Sequence, residues 1–230
     1  MSRRPRFPLT DLPLHVVQRG NDRQQCFFED RDYRIYLVAL REAALRYGVL
    51  VHAYVLMTNH VHLLLTPGAP EAVPRLMQSL GARYVWHVNS TRQRTGTLWE
   101  GRYRACLVAS DVHVMAACRY IDLNPVRAGL AHHPSDYRWS SYGALSGLRD
   151  DPLVTRHPAL FELGKPEDRA YTRWCAQASC DGELGRIRDA TEHELAFGTD
   201  EFKAQVQATT MRATVSRPRG RPRRAPSACA

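Results

Sequence analysis

Within the first 108 residues, segments that read as strands and helices follow one another in the order β-α-β-β-α-β. This order constrains the fold more tightly than any other property of the chain. Residues 14–19 (LHVVQR) form a short β-branched run closed by Gly20-Asn21, a strand and turn signal. Asp30 is placed to cap a helix running to Tyr47, with Tyr33, Tyr36, Leu37, Leu40 and Ala44 spaced for one buried face and Gly48 as the stop. Val49–Met57 and His60–Thr66 read as strands joined by a tight turn at Thr58-Asn59. Pro67-Gly68 ends the second of them. A long helix follows from about Glu71 to Arg92, residues 98–108 are extended, and Ser110 or Asp111 caps a further helix reaching Leu123. The fold expected is α+β, a ferredoxin-like antiparallel sheet with two helices on one face and the other face open for a ligand or for the added helix.

Three regions of unlike charge follow along the chain. Residues 1–150 carry 19 basic and 12 acidic side chains, residues 151–211 carry 7 and 11, and residues 212–230 carry six arginines and no acid. The reading is a domain over 9–125, a C-terminal helical appendage over 126–211 and an Arg/Pro-rich, disordered, DNA-binding tail over 212–230. Helices at about 167–179, 181–190 and 199–208 are expected in the appendage. The net charge of +9 favours an anionic partner. No apolar run is long enough to span a membrane, and the N-terminal stretch lacks the apolar region of a secretory signal. The six cysteines include no CxxC pair, so reduced thiols in a cytoplasmic, nucleoid-associated protein are expected.

His60-Val61-His62 lies on the second strand of the hairpin, where residues two apart share a face. Val61, Leu63 and Leu65 then point to the core and both imidazoles to the other side. Two such histidines can hold one divalent cation, or can simply be half-exposed strand residues. On the following helix, Val114, Cys118 and Ile121 form the apolar stripe. Tyr120 lies off it, accessible beside His113, Ala117 and Asn124, either as a reactive phenol or as an amphipathic surface residue. Asn124, four residues on and just before Pro125, is a helix stop or a third oxygen ligand. Cleavage of a phosphodiester by tyrosine needs a phenol, a cation that polarises the phosphate and a fixed geometry between them.

The segments HVVQRGNDRQQCFF (15–28), AYVLMTNHVHLLLTP (53–67), GTLWEGRYRACLV (96–108), RYIDLNPVRAGL (119–130) and DYRWSSY (136–142) resemble the IS200-like, single-tyrosine transposases of the HUH class, and within them the REP-associated tyrosine transposases. The resemblance implies a nicking enzyme for single-stranded, hairpin-bearing DNA that works through a 5′-phosphotyrosine. It implies His60 and His62 as the metal pair, Tyr120 as the nucleophile and Asn124 as third ligand, at a position where related insertion-sequence enzymes often carry Gln. The cofactor implied is a divalent metal, Mg²⁺ or Mn²⁺, and the enzyme is a monomer or homodimer.

Arg19, Arg23, Arg102, Arg104, Arg119 and Arg127 flank this predicted site, and Trp99 and Tyr103 are candidates for stacking on unpaired bases. The alternative for each is a solvated basic face with ordinary aromatic packing. In the tail, Arg219, Arg221 and Arg223 lie in an AT-hook-like pattern, which suggests an A·T-rich duplex as a second DNA partner, or else a nonspecific cationic anchor. The rival to an enzyme is a noncatalytic hairpin-DNA-binding protein that keeps the fold. Binding alone requires neither the HVH pair nor Tyr120.

Overall fold

The structure, a computed structural model, describes Phe7 and residues 9–109, 111–177 and 181–215. Ser110, offered above as a helix cap, and the tail residues Arg219, Arg221 and Arg223 lie outside the described residues.

Strand β1 (Leu14–Arg19), helix α1 (Asp30–Tyr47), strands β2 (Val49–Leu56) and β3 (His60–Pro67), helix α2 (Ala72–Arg92) and strand β4 (Arg104–Val108) realise the expected order. The sheet runs β2-β3-β1-β4, with antiparallel pairing throughout these four strands. A fifth strand, β5 (Ala196–Phe197), joins β4 in parallel from the appendage. At two residues it is too short to carry a periodicity signal, which is why the sequence does not announce it. The fourth strand is shorter than expected, because residues 98–103 leave the ladder except where Trp99 bridges Gly20.

Helix α1 ends where Gly48 turns left-handed (φ 64°), a conformation that costs glycine little. Gly20 is required for a different reason. A Cβ there would lie 2.2 Å from the carbonyl oxygen of Gln24, so only glycine lets the chain turn this closely at the end of β1.

The strand alternation divides the interior in two. Val61, Leu63 and Leu65 pack with Tyr36, Leu40, Leu76 and Leu80 of α1 and α2. Leu64, Val55 and Cys106, on the opposite face, pack with Val114, Cys118 and Ile121 of helix α3 (Asp111–Asp122). Cys118 is fully buried, as its place on the apolar stripe requires, and Cys26, Cys106 and Cys175 are likewise buried free thiols.

Beyond α3 come the single turns α4 (Asn124–Arg127) and α5 (Tyr142–Leu145), then α6 (Ala170–Ala176), α7 (Asp181–Glu192) and α8 (Asp200–Thr210). The expected appendage helices are therefore present with shifted ends. The second sheet face, left to a ligand or to the added helix, takes that helix, α3, and also α7, which packs on β4 and β1. The packed chain also runs past residue 211. Thr214 is buried, and Arg212 stacks its guanidinium 3.7 Å from the Phe7 ring. No helix among the described residues is long and apolar enough to cross a membrane.

Candidate functional site

The site forms where β1 and β3 meet the C-terminal half of α3. Register sets it up: His62 pairs with Val17 and His60 with Arg19, and directly paired residues point to the same face. In the adjoining row His15 lies between Leu64 and Cys106. His60, His62, His15, Val17 and Arg19 therefore share the face that α3 covers. The ring centroids of His60 and His62 are 4.9 Å apart, and His62 meets the Tyr120 ring edge-on at 5.7 Å. His15 meets Tyr120 at the same distance and lies 5.1 Å from His62.

Both candidate ligands are held through Nδ1. Asn59 donates its amide to the Arg23 carbonyl (2.9 Å), which leaves Oδ1 toward His60 Nδ1 at 2.6 Å. An amide oxygen only accepts, so His60 carries its proton on Nδ1 and keeps the Nε2 lone pair. His62 Nδ1 is 2.8 Å from His15 Nε2. Burial depresses all three imidazoles: His15 to about 3, His60 to about 4 with a further push from Arg19, and His62 well below the ordinary value, helped by His15 and His60. All three are neutral at pH 7, the form in which imidazole binds metal. The donor set therefore suits a divalent cation. Among the described residues no three His, Cys, Asp or Glu side chains gather as a cation site, so the remaining positions would fall to Asn124, water or a phosphate.

Tyr120 departs from expectation in its exposure. It lies off the apolar stripe but is only 6% exposed, because the two histidine rings and Arg127 enclose it. The Arg127 guanidinium stacks 4.5 Å from the phenol ring and donates to the Tyr120 carbonyl. Asn124 donates its amide to the same carbonyl at 2.9 Å, which leaves its Oδ1 as the end available to a cation.

The remaining candidates separate into two groups. Arg19, Arg23, Arg102 and Arg104 line a groove of about 480 Å³ beside the histidine pair, faced by carboxylates that include Glu192 and Glu194 from the appendage. Tyr103 lines the same groove but is 8% exposed and packed in the core. Two candidates are withdrawn from the surface. Arg119 is buried, bonded to Glu183 at 2.7 Å and stacked 4.4 Å from Trp174. Trp99 packs against Tyr36 and Tyr84 on the helix side of the sheet, so it cannot stack on a base without leaving the core. Local periodicity cannot reveal either outcome, since the partners come from α7 and α6 for Arg119 and from α1 and α2 for Trp99.

Two site residues escaped the sequence reading. His15 had a signal, since it shares a strand face with Val17 and Arg19, but its meaning depends on a β1–β3 register that spacing does not give. Thr191, 2.9 Å from His15 Nδ1, had none, being 176 residues away.

Comparison with known proteins adds a family and a fold. Residues 9–124 match the family model described as IS200-like transposase. The structure of a REP-associated tyrosine transposase bound to a REP hairpin superposes with a TM-score of 0.55 at 16% identity, covering 68% of this chain and 99% of that one. A candidate transposase from Deinococcus radiodurans R1, 24% identical over 49% of this chain and 91% of that one, superposes at 0.34, too low to bear on the fold. No curated protein matches the sequence.

Proposed function

The chain belongs to the IS200-like transposase family, and from that premise we propose that it cleaves and rejoins single-stranded, hairpin-bearing DNA through a 5′-phosphotyrosine on Tyr120. The observation that carries the proposal is that His60 on β3 and Tyr120 on α3 both meet the His62 ring, with centroids 4.9 and 5.7 Å from it. A tyrosine needed only for packing would not require two neutral imidazoles with tethered Nδ1 atoms beside it.

In this reading Tyr120 Oη attacks the scissile phosphorus, the bond to the 3′-oxygen breaks, and the strand leaves with a 3′-hydroxyl. The phenol gives up its proton as the leaving oxygen gains one, so the step is balanced. Arg127, over the ring, puts positive charge where the phenolate develops. His60 and His62, with Asn124 Oδ1, would hold a Mg²⁺ or Mn²⁺ ion, which when bound acts as a Lewis acid on the phosphate. Arg19, Arg23, Arg102 and Arg104 bind the approaching strand's phosphates in the groove beside the pair. Rejoining is the reverse attack by a 3′-hydroxyl on the phosphotyrosine, and it needs no external energy source. The relative of known structure binds a REP hairpin, and a DNA of that shape is the substrate to test first.

The test is a denaturing gel of protein incubated with a 5′-labelled and a 3′-labelled hairpin oligonucleotide and Mn²⁺. A covalent adduct should carry only the label 3′ of the nick. Tyr120→Phe should abolish adduct and cleavage while leaving hairpin affinity within about twofold, because only the attacking oxygen is lost. Undiminished cleavage by that variant would remove Tyr120 from the reaction. Hairpin binding with no adduct from the parent protein would leave a noncatalytic binder.

A further inference from the structure

The appendage lies outside the part of the chain that matches the family model, yet it reaches the candidate cation site through one hydroxyl. Thr191, near the end of α7, is buried, and its Oγ1 is 2.9 Å from His15 Nδ1 and 2.8 Å from the Ile187 carbonyl oxygen. His15 is fully buried in the strand next to β3, and its other nitrogen is 2.8 Å from His62 Nδ1. A chain of hydrogen bonds therefore runs from the Ile187 carbonyl through Thr191 and His15 to His62. We infer that Thr191 is a positioning residue that sets the proton direction in this chain and so keeps the Nε2 lone pair of His62 available to a cation.

The argument is a count of donors and acceptors. A neutral imidazole has one N–H and one lone pair, and a hydroxyl has one hydrogen. The Ile187 carbonyl can only accept, so the Thr191 hydrogen goes to it and the hydroxyl oxygen is left to accept from His15 Nδ1–H. His15 Nε2 is then a lone pair that accepts from His62 Nδ1–H. That leaves His62 Nε2 unprotonated. The opposite direction, with Thr191 donating to His15, would put the His62 proton on Nε2 and block ligation. Cys106 Sγ, 3.4 Å from Thr191 Oγ1, is compatible with the first direction as a weak donor to the hydroxyl oxygen.

The two histidines of the pair thus have unlike supports. His60 is fixed by its sequence neighbour Asn59, whose amide oxygen has one possible role. His62 is fixed at second hand by a threonine 129 positions away in the chain, in a segment that family resemblance does not cover. The inference rests on the proposed metal role of His62, but its deciding readout, the tautomer of each ring, is made without metal and without DNA.

The test begins with the metal-free full-length parent, ¹⁵N-labelled at histidine, whose long-range ¹H–¹⁵N correlations report the tautomer of each ring. His62 is assigned by the loss of its signals in His62→Asn. The expected result is a proton on Nδ1 and a bare Nε2 for His62, and the same for His15. A parent His62 protonated on Nε2 overturns the inference, and this reading depends on no variant of Thr191. Thr191→Val keeps the shape and removes the acceptor. It should mix the His15 and His62 tautomers, leave His60 unchanged, and weaken Mn²⁺ binding by roughly 10- to 100-fold, the range typical of lost outer-shell partners. Mn²⁺ binding is read from the EPR signal of the free ion. Thr191→Ser, which restores the hydroxyl, should return both readouts to within about threefold of the parent. Tautomers and Mn²⁺ affinity unchanged in Thr191→Val would show that Thr191 is packing only. A parent with the expected tautomers that fails to bind Mn²⁺ would count against the proposed function and leave the relay standing.

Discussion

On the side of the sheet covered by α1 and α2, Val61, Leu63 and Leu65 belong to a cluster of apolar and aromatic side chains from that layer. On the other side, the alternate positions of the same strand carry His60, His62 and Leu64, and they meet a tyrosine, a third histidine and a helix from the far end of the chain. One strand of eight residues thus serves as core on one face and as a candidate reactive centre on the other. The helix-side face is satisfied by elements adjacent in sequence, and its stabilisation is burial of apolar area, about 1.5–3 kcal/mol for each large side chain. The site-side face is largely covered as well, with Val17, Arg19 and Arg104 opening onto the groove, but it holds buried polar groups, and each must find a specific partner or cost more than it contributes.

If that division of labour is real, substitutions two residues apart on β3 should fail in different ways. His60→Ala and His62→Ala should each lower metal-dependent cleavage by orders of magnitude, and EDTA should reproduce the loss in the parent, since a Lewis acid on the phosphate supplies several kcal/mol. Their unfolding midpoints should move far less than that of Leu63→Ala, which leaves a void among α1 and α2. That void should cost about 2–5 kcal/mol of stability while sparing Mn²⁺ affinity at temperatures where the variant is folded. Urea unfolding and Mn²⁺ titration on the three variants check both halves. Full turnover in chelator, or a Leu63→Ala variant that loses metal affinity while folded, would break the comparison.

The helix-side face was legible from the amino-acid sequence. The spacing of Tyr36, Leu40 and Ala44 on α1 and the alternation of Val61, Leu63 and Leu65 on β3 are local patterns, and local patterns survive folding because packing selects them. The histidine pair and Tyr120 were legible for the same reason, since i, i+2 on a strand and an off-stripe helix position are local facts. What fills the space between them was not. Tyr120 appeared accessible because the sequence does not say that Arg127 folds back over its ring. Arg119 and Trp99 appeared available to DNA because Glu183, Trp174 and Tyr84 are distant in sequence. His15 and Thr191 complete a hydrogen-bond chain that depends on strand register and on the docking of α7, neither of which leaves a periodic trace.

The two faces should also differ in their response to acid. In the metal-free protein buried histidines are held neutral: burial depresses His15 to about 3 and His60 to about 4 at the site. His52 on β2, bonded to Thr66 Oγ1 at the far end of β3, is also depressed to about 4. An unfolded chain takes up protons on these groups near pH 6.5 while the folded one does not. Their contribution to stability is therefore complete above about 6.5 and is lost as pH falls toward 4, at no more than about 1.4 kcal/mol per pH unit for each group. Asp122, buried at the end of α3 with Ser141 and Tyr171 as donors, is pushed up to about 7 by the same desolvation. A raised acid works in the other direction, favouring the fold at low pH and disfavouring it as pH rises from about 4 to 7. Three histidines outweigh one aspartate, so stability should rise with pH between 4.5 and 6.5. Asp122→Asn should steepen that rise, because it removes the opposing group. Thermal unfolding at several pH values measures both, and a flat parent profile over this window would mean these histidines titrate freely.

The smallest effect expected concerns the tail, and it separates DNA held by the folded groove from DNA held by charge alone. Arg212 belongs to the folded body, stacked on Phe7 and bonded to the Glu194 carbonyl at 2.7 Å, so a clean deletion starts at residue 216 rather than at 212. Residues 216–230 contain five arginines and none of the candidate reactive residues. Their removal should leave adduct formation at saturating hairpin unchanged and should weaken duplex binding. If most of the five contact phosphate, the slope of log K against log salt should become shallower by roughly 3–4 units, at about 0.9 for each phosphate neutralised. An AT-hook adds sequence preference to this, since arginines entering a narrow minor groove favour A·T tracts. Intact and truncated protein should therefore be compared on A·T and G·C duplexes across several salt concentrations. A slope that does not change takes the tail off the DNA. Equal losses on both duplexes make it a nonspecific anchor, and the choice among DNA sequences then passes to the folded body, with the groove beside His60 and His62 the first place to look.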